Sequence, residues 1–228
     1  MAGDRAAGGR IRIDLHLHTA ASFDCLSDPE QVLDRALARG LDRIAITDHN
    51  VLSAALTMKQ RHPERIIVGE EVKTAEGVDV IGYFLSAPIP RGTPARETCT
   101  RIREQGGVVY VPHPFARGKG GGGRILPVIE DLVDAVEGFN ARLHDAGLND
   151  RAAEWGRARG KPLGAGSDAH TLAEVGRAFV ELPSFVDERD SFLSALHAGT
   201  VHGTTSPRSV HLASTWAKLR KQLPGAAT

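Results

Sequence analysis

The chain has few cysteines, few large aromatic residues and no excess of either charge. Its 228 residues include two Cys, two Trp and two Tyr, and 28 Lys and Arg balance 28 Asp and Glu. Cys25 and Cys99 are too few for a disulfide framework, and the sequence has no Cys-x-x-Cys pair. A net charge of zero argues against a protein that coats long nucleic acids, but it is compatible with a small phosphorylated substrate in a local basic pocket.

Targeting and membrane-spanning features are also missing from the sequence. Residues 1–10, MAGDRAAGGR, carry charges but not the apolar stretch of a secretory signal. No apolar run approaches the roughly 20 residues that a membrane-spanning helix needs. We therefore expect a cytoplasmic protein with no membrane partner, and the sequence does not indicate its oligomeric state.

Short apolar segments alternate with amphipathic ones along the chain. Six or seven strand–helix units of this kind predict a parallel sheet with helices outside it, closed as an α/β barrel. The first helix is predicted to begin at SDPE, with Ser27 as its cap and Glu30 completing a capping box. No linker divides the chain, so we predict one domain over 1–228, with residues 1–9 as a flexible N-terminus and 207–228 as a C-terminal helix and tail.

The segment IRIDLHLH, residues 11–18, alternates apolar and polar residues, which indicates a strand. This pattern puts Ile11, Ile13, Leu15 and Leu17 on one face of the strand and the two histidines, His16 and His18, on the other. Two residues along a strand correspond to about 7 Å, so both imidazoles can converge on one cation. The segment therefore predicts two metal ligands at the end of the first strand.

Other predicted strands also end in polar residues: Asp48 and His49, Glu70 and Glu71, His113, Asp168 and His170. In a parallel barrel the carboxyl ends of all strands lie on one rim, where active sites are found. Carboxylates can bridge pairs of cations, and neutral imidazoles limit the negative charge. We therefore expect a site for more than one metal ion at this rim.

The same residues resemble a known family. In chain order the matching segments are DLHLHTAASFDCLSDPEQVLDRALARGLDRIAITDHN, VGEEV, VPHPF and GSDAH. They resemble the PHP (polymerase and histidinol phosphatase) family of metal-dependent phosphoesterases, from Ile11 to about Leu182. The resemblance implies a distorted (β/α)7, TIM-like barrel with two or three divalent metal ions at the C-terminal rim of its strands.

The resemblance also implies a set of metal ligands. A first ion would be bound by His16, His18, Glu71 and Asp168, a second by Glu71 and His113, and a third by Asp24, His49 and His170. Asp79 stands where many members have a further histidine ligand, and it either binds as an oxygen ligand or points away. Asp48 is expected to support a ligand rather than to bind. Ligands of this type favour Zn, Mn or Fe over Mg.

Substrate contacts are predicted from residues that follow the strand ends. Arg117 can place its guanidinium on two phosphate oxygens, and Asn140 and Arg142 resemble family positions near the substrate. The glycine-rich loop at 116–124 is either a phosphate cradle or a plain surface loop. The predicted catalytic residues are Asp24, His49, Arg117 and Arg142, with Asp24, or a water on the third ion, as the proton source for the leaving oxygen.

Together these features predict hydrolysis of a phosphoester bond by a metal-activated hydroxide. The substrate is expected to be small: a nucleotide, a short oligonucleotide or another phosphorylated metabolite. The alternatives are a histidinol-phosphate phosphatase, an amidohydrolase-type metal hydrolase, and a non-catalytic binding module that retains its metal ions.

Overall fold

The structure is a computed structural model that describes residues 9–117 and 120–223. Within these residues the chain forms nine strands and seven helices. The strands are β1 (Arg10–Leu17), β2 (Arg43–Ile46), β3 (Ile66–Lys73), β4 (Asp79–Tyr83), β5 (Val108–Val111), β6 (Ala135–Asn140), β7 (Leu163–Gly166), β8 (Ala178–Pro183) and β9 (Thr200–Gly203). The helices are α1 (Pro29–Ala38), α2 (Ser53–Arg61), α3 (Ala95–Glu104), α4 (Leu126–Ile129), α5 (Ala146–Ala158), α6 (Arg189–His197) and α7 (Val210–Gln222).

The strands form one sheet in the order β7-β6-β5-β4-β3-β2-β1-β8-β9. Neighbours pair in parallel from β1 to β3 and from β5 to β7. The expectation of an all-parallel sheet is wrong at β4, which is antiparallel to β3 and to β5, and at β8, which is antiparallel to β1 and β9. The reversal at β4 follows from the short turn after β3, since a parallel pair would need a long crossover connection there.

The sheet closes where the chain leaves β7 and meets the end of β1. The backbone N–H of Asp168 donates to the carbonyl of His16 at 2.7 Å, and the N–H of His18 donates to the carbonyl of Ala169 at 2.9 Å. These two hydrogen bonds, here called the barrel seam, join β1 to β7 in a ring of seven strands. The predicted distorted (β/α)7, TIM-like barrel is therefore confirmed, with β8 and β9 added beside the amino half of β1.

Two apolar layers hold the barrel together. The inner layer fills the ring with alternate side chains of its strands, among them Leu15, Ile67 and Tyr110, and Phe192 of α6 packs against it. The outer layer lies between the strands and the helices, where Val32 of α1 and Ile102 of α3 pack. Burial of this apolar surface is the main stabilising contribution to such a fold.

The alternation predicted for β1 is interrupted by a bulge. The pairing register with β2 shifts between Asp14 and Leu17. Ile13 and Leu15 pack in the inner layer, whereas Leu17 packs in the outer layer, so the four apolar residues do not share one face. A bulge changes which way the following side chains point, and here it directs His16 and His18 toward the open end of the barrel.

The helix boundaries follow local capping chemistry. Helix α1 begins one residue later than predicted, because the carboxylate of Asp28 rather than Ser27 accepts from the backbone N–H groups of Glu30 and Gln31. The predicted C-terminal helix is α7. Residues 1–8 of the predicted flexible N-terminus, 224–228 of the predicted C-terminal tail, and Gly118 and Lys119 of the glycine-rich loop lie outside the described residues. Across residues 9–117 and 120–223, no helix combines the length and the apolar character of a membrane span.

Candidate metal centre

Five predicted ligands meet at the carboxyl end of the barrel and form what we call the inner group: His16, His18, Glu71, His113 and Asp168. The Nε2 atoms of His16 and His18 lie 3.2 Å apart. Oε2 of Glu71 lies 3.4 Å from each of these nitrogens. Oδ1 of Asp168 lies 3.4 Å from Nε2 of His18. Lone pairs from two strands and the barrel seam therefore point at one small volume.

Glu71 occupies the middle of this arrangement. Its Oε1 lies 3.2 Å from His113 Nε2, while its Oε2 faces the histidines of β1 and lies 2.9 Å from His49 Nδ1. Its neighbour Glu70 points to the other side of β3, where its carboxylate accepts from the backbone N–H of Ile89. Burial raises the pKa of Glu70 to about 7. The structure thus brings Glu71, and not Glu70, to the centre.

A second set of predicted ligands lies on loops above the inner group and is called the outer group: Asp24, His49 and His170. Oδ2 of Asp24 lies 3.6 Å from His49 Nε2 and 3.3 Å from His170 Nε2. The rings of His18 and His49 stack with their centroids 4.4 Å apart, which places the two groups in contact. The side chain of His49 is 15% exposed and that of Asp168 in the inner group is 16% exposed, so each group has a member that is partly exposed.

Asp79, the possible further ligand, lies at the start of β4. Because β4 runs antiparallel, its first residue reaches the same rim as the ends of β3 and β5. Ligand atoms of Glu71, Asp79 and His113 lie within 4.8 Å of one another. Both carboxylate oxygens of Asp79 also contact the ammonium of Lys73, at 2.7 and 2.8 Å. Burial, followed by the charge of Glu71, raises the pKa of Asp79.

Residues behind the ligands fix their orientation. Glu137, which sequence reasoning missed, lies 3.0 Å from His16 Nδ1 and accepts from the backbone N–H of His113 at 2.7 Å. A ring N–H donated to a carboxylate leaves the other nitrogen of His16 facing the centre. The available signal was a single acidic residue inside the otherwise apolar segment AVEGF of β6.

Asp48 supports the ligands from the other side, in the role expected for it. Its carboxylate accepts from the hydroxyl groups of Thr19 and Ser22. Ser22 Oγ in turn lies 3.2 Å from Nδ1 of His18 and accepts from the backbone N–H of His49 at 2.9 Å. One carboxylate thus holds the loop that carries ligands of both groups.

Backbone strain and close packing also concentrate at the rim. His113 and Asp168 have φ values of +26° and +50°, which non-glycine residues adopt rarely and mostly where the surrounding structure imposes them. Gly166 lets β7 approach β1, since a Cβ atom there would lie 2.2 Å from Cβ of His16. The positions of the ligands are therefore set by the backbone as well as by their side-chain contacts.

The groups line a cavity of about 610 Å³. Arg117 and Arg142, two of the predicted substrate contacts, are part of its wall. Arg117 is exposed, whereas the guanidinium of Arg142 is buried and contacts Glu174 at 3.0 Å and Ser214 of α7 at 3.1 Å. Asn140 is buried away from this cavity, and its amide donates to Glu137 and Asp168 at 2.9 and 3.3 Å. Its geometry favours bracing of the ligands over contact with a substrate.

Helix α7 supplies cavity residues that sequence reasoning did not identify. Nζ of Lys218 lies 3.6 Å from Oδ2 of Asp24 and 5.0 Å from the ring of Phe23. Phe23 is 53% exposed and packs on the ring of His49. Lys221 donates to the backbone carbonyls of Ala20 and Ser22. The end of the chain therefore covers the loop that carries Asp24.

The electrostatics of the centre suit bound cations. Although burial opposes ionisation, the surrounding imidazoles hold the pKa values of Glu71 and Asp168 well below the usual range. Burial, His170 and His49 lower the pKa of His18 to about 3, so its ring is neutral. Burial would also lower the pKa of His49, but Glu71 and Asp24 raise it to about 9. Ionised carboxylates thus lie among imidazoles, and the guanidinium of Arg142 also lowers the pKa of Asp168.

The buried atoms of the predicted ligands that lack a hydrogen-bond partner among the described residues include Asp24 Oδ1 and His113 Nδ1. Buried polar atoms are normally paired, and unpaired ones at a cluster of lone pairs are typical of an ion-binding site. Imidazole nitrogens and carboxylate oxygens form four overlapping groups of three residues, and within each group the ligand atoms lie within 4.8 Å of one another. The residues therefore fit divalent metal ions.

Comparison with known families gives two matches. The model described as "PHP domain" matches residues 14–110, and the model described as "PHP-associated" matches residues 147–201. Two uncharacterized proteins of Methanocaldococcus jannaschii are similar in sequence. MJ1587 is 36% identical over 62% of this chain and 89% of its own length. MJ0417 is 32% identical over 81% of this chain and 76% of its own length.

Solved structures show the same fold at low sequence identity. PsfC from Pseudomonas syringae PB-5123 superimposes with a TM-score of 0.70 at 20% identity, over 92% of this chain and 98% of that chain. A Bifidobacterium adolescentis protein assigned as a metal-dependent phosphoesterase gives 0.58 at 15% identity, over 82% and 96%. The lesion-specific endonuclease of Pyrococcus furiosus gives 0.63 at 15% identity, over 84% of this chain and 57% of that chain.

Proposed function

This chain belongs to the PHP domain family, and from that membership we propose that it hydrolyses a phosphoester bond with divalent metal ions. The observation that carries the proposal is the convergence of the inner and outer groups on one rim. Two solved structures of the same fold are described as a metal-dependent phosphoesterase and an endonuclease, and both descriptions concern phosphoester bonds. Their names support the reaction class and leave the substrate of this chain open.

The metal ions would be held by His16, His18, Glu71, His113 and Asp168 of the inner group and by Asp24, His49 and His170 of the outer group. Ring nitrogens of His18, His49 and His170 form one candidate ligand set, and Asp24 lies beside His49 and His170. Bound divalent ions supply Lewis-acid charge at a phosphoryl group and lower the pKa of a coordinated water. The protein residues orient these ligands through Glu137, Asp48 and the barrel seam.

The cavity residues supply the remaining chemistry. Arg117, exposed at the wall, binds a phosphate oxygen of the incoming substrate. Arg142 adds a fixed positive charge beside Asp168 and His170, where negative charge develops on the phosphoryl oxygens. Although burial opposes ionisation, contacts with His170 and His49 hold the pKa of Asp24 below its ordinary range, so its carboxylate would serve the outer group as an ionised ligand.

A nucleotide or short oligonucleotide is the substrate that the cavity supports best. The volume of the cavity, about 610 Å³, falls within the range of small-molecule sites. The exposed ring of Phe23 lies beside the candidate metal ligands, where a base could stack next to its own phosphate. Histidinol phosphate is the alternative, since it also combines an aromatic ring with a phosphoester.

The test compares hydrolysis of bis(p-nitrophenyl) phosphate and p-nitrophenyl phosphate by protein purified without chelator, with metal content measured on the same sample. We expect turnover that is lost in His18→Ala and retained in His197→Ala, a matched change at an exposed histidine. The preference between diester and monoester then narrows the substrate class.

Two other outcomes would point elsewhere. Turnover of amide substrates but of neither phosphoester would identify an amidohydrolase-type enzyme. A protein that carries its ions and hydrolyses no phosphoester, including nucleotides, would identify a metal-bound binding module.

A further inference from the structure

We propose that Lys73 serves as a built-in cation of the metal centre and takes the place of an ion at the cluster of Glu71, Asp79 and His113. The centre then holds two divalent ions, one in the inner group and one in the outer group, and Asp79 does not bind metal. This inference rests on the proposed function only in assuming that the centre binds metal.

The contacts of Lys73 with Asp79 are those of a formed ion pair. Its ammonium lies 2.7 Å from Oδ1 and 2.8 Å from Oδ2, so that both oxygens of the carboxylate are engaged. Only 4% of the Asp79 side chain is exposed, and a pair this buried is little screened by salt. An ion at this cluster would have to displace the ammonium or lie beside its positive charge.

Gly120 of the glycine-rich loop packs against this pair. The backbone N–H of Asp79 donates to the carbonyl of Gly120 at 2.8 Å. A Cβ atom on Gly120 would lie 1.5 Å from Oδ2 of Asp79 and 2.8 Å from Nζ of Lys73. Since Gly120 also has a φ of +78°, glycine is the residue that allows the loop to pack here. The loop thereby leaves little room for the carboxylate to turn toward an ion.

The lysine near the outer group makes a different contact. Nζ of Lys218 lies 3.6 Å from one oxygen of Asp24, which is beyond hydrogen-bond distance, and its side chain is 45% exposed. The two aspartates therefore differ in their distance to an ammonium: both oxygens of Asp79 lie within 2.8 Å of Lys73, whereas Lys218 comes no closer than 3.6 Å to the oxygen of Asp24 that it approaches.

Lys73 also lines the cavity, with 31% of its side chain exposed. A monovalent ammonium and a divalent ion repel each other strongly at short range, so removal of the lysine charge should allow an ion to bind. The charge that Lys73 provides at this corner is fixed, because it is covalently part of the chain and needs no free metal ion.

The test is the number of ions bound per chain, measured by equilibrium dialysis against a range of free Mn²⁺ concentrations. Wild-type protein should bind two ions. Lys73→Met and Lys73→Gln should each bind a third ion. Their affinity for this third ion should exceed that of the wild-type protein at least about tenfold. Asp79→Asn should still bind two, since Asp79 is not a ligand in the wild-type protein.

The matched control is Lys59→Met. Lys59 is paired with Asp187 away from the centre, and its side chain is 29% exposed, close to that of Lys73. This variant should bind two ions. Thermal melting of each variant identifies a folding defect. Because two Lys73 variants with different side chains are measured, the conclusion does not depend on a single variant that misfolds.

Three results would overturn the inference: three ions in the wild-type protein, loss of an ion in Asp79→Asn, or the same two ions in both folded Lys73 variants. None of these measurements depends on turnover. A protein that gains the third ion in Lys73→Met yet hydrolyses no phosphoester would refute the proposed function and leave this inference intact.

Discussion

The inner and outer groups use similar side chains, but the structure holds them differently. The inner group lies at the ends of strands and at the barrel seam, and its histidines contact Glu137 and Ser22 behind them. The outer group lies on the loops after β1, β2 and β7, and one of its neighbours is Lys218 of a helix near the chain end. Ligands fixed by a sheet are held more rigidly than ligands carried by loops.

This difference indicates that one ion is bound mainly by residues of the barrel and the other by residues of the loops beside the substrate cavity. The inner group is completed when the ring of strands closes. Members of both groups line the cavity, and the outer group lies beside Phe23 and Lys218. We expect the inner ion to bind more tightly than the outer ion. Three experiments test this difference in affinity.

The largest effect should come from deleting one ligand of each group. His16→Ala should lose the inner ion, and activity should fall by more than the roughly 100-fold that loss of a supporting partner can cause. His49→Ala should retain the inner ion and lose the outer one. Metal content and kcat/KM measured on both variants check this, and equal loss of both ions in the two variants would show one indivisible centre.

An intermediate effect should follow from Glu137→Gln. The amide keeps the shape but removes the negative charge that orients His16, so affinity for the inner ion should fall about 10- to 100-fold. Affinity for the outer ion should change little. Competition with a metal-binding dye measures both, and Glu154→Gln, at an exposed position of α5, is the control. An unchanged inner affinity would contradict the positioning role.

The smallest effect should come from Lys218→Ala. The contact with Asp24 is long and exposed, and such pairs contribute little, so KM should change about two- to fivefold with kcat nearly constant. Steady-state kinetics on p-nitrophenyl phosphate and on a nucleotide substrate check this. A large fall in kcat would instead place Lys218 in the chemical step.

Much of this architecture was predictable because the ligands occur in short, recognisable segments. The alternation at IRIDLHLH, together with the polar residues after predicted strands, was enough to indicate the rim and the barrel. Asp24 and Asp79 came from the family resemblance, since neither follows a predicted strand. The bulge in β1 and the antiparallel pairing of β8 with β1 were not recognised, because both depend on strand pairing between distant segments.

The residues that surround the ligands were harder to predict for a physical reason. Glu137 was visible as a charge in an apolar strand, but its contacts with His16 and His113 require the closed ring. Lys218 and Phe23 approach each other only because α7 packs across the loop after β1. Nothing in the local pattern of either segment indicates the other.

The barrel seam has a consequence for biosynthesis. His16 and His18 leave the ribosome early, whereas Asp168 and His170 follow only after almost the whole ring has been made. A nascent chain that ends before β7 presents two imidazoles without the aspartate that completes the inner group. The inner group is therefore complete only after the last strand of the ring has been made, and we expect the finished barrel to bind the inner ion more tightly than the growing chain does.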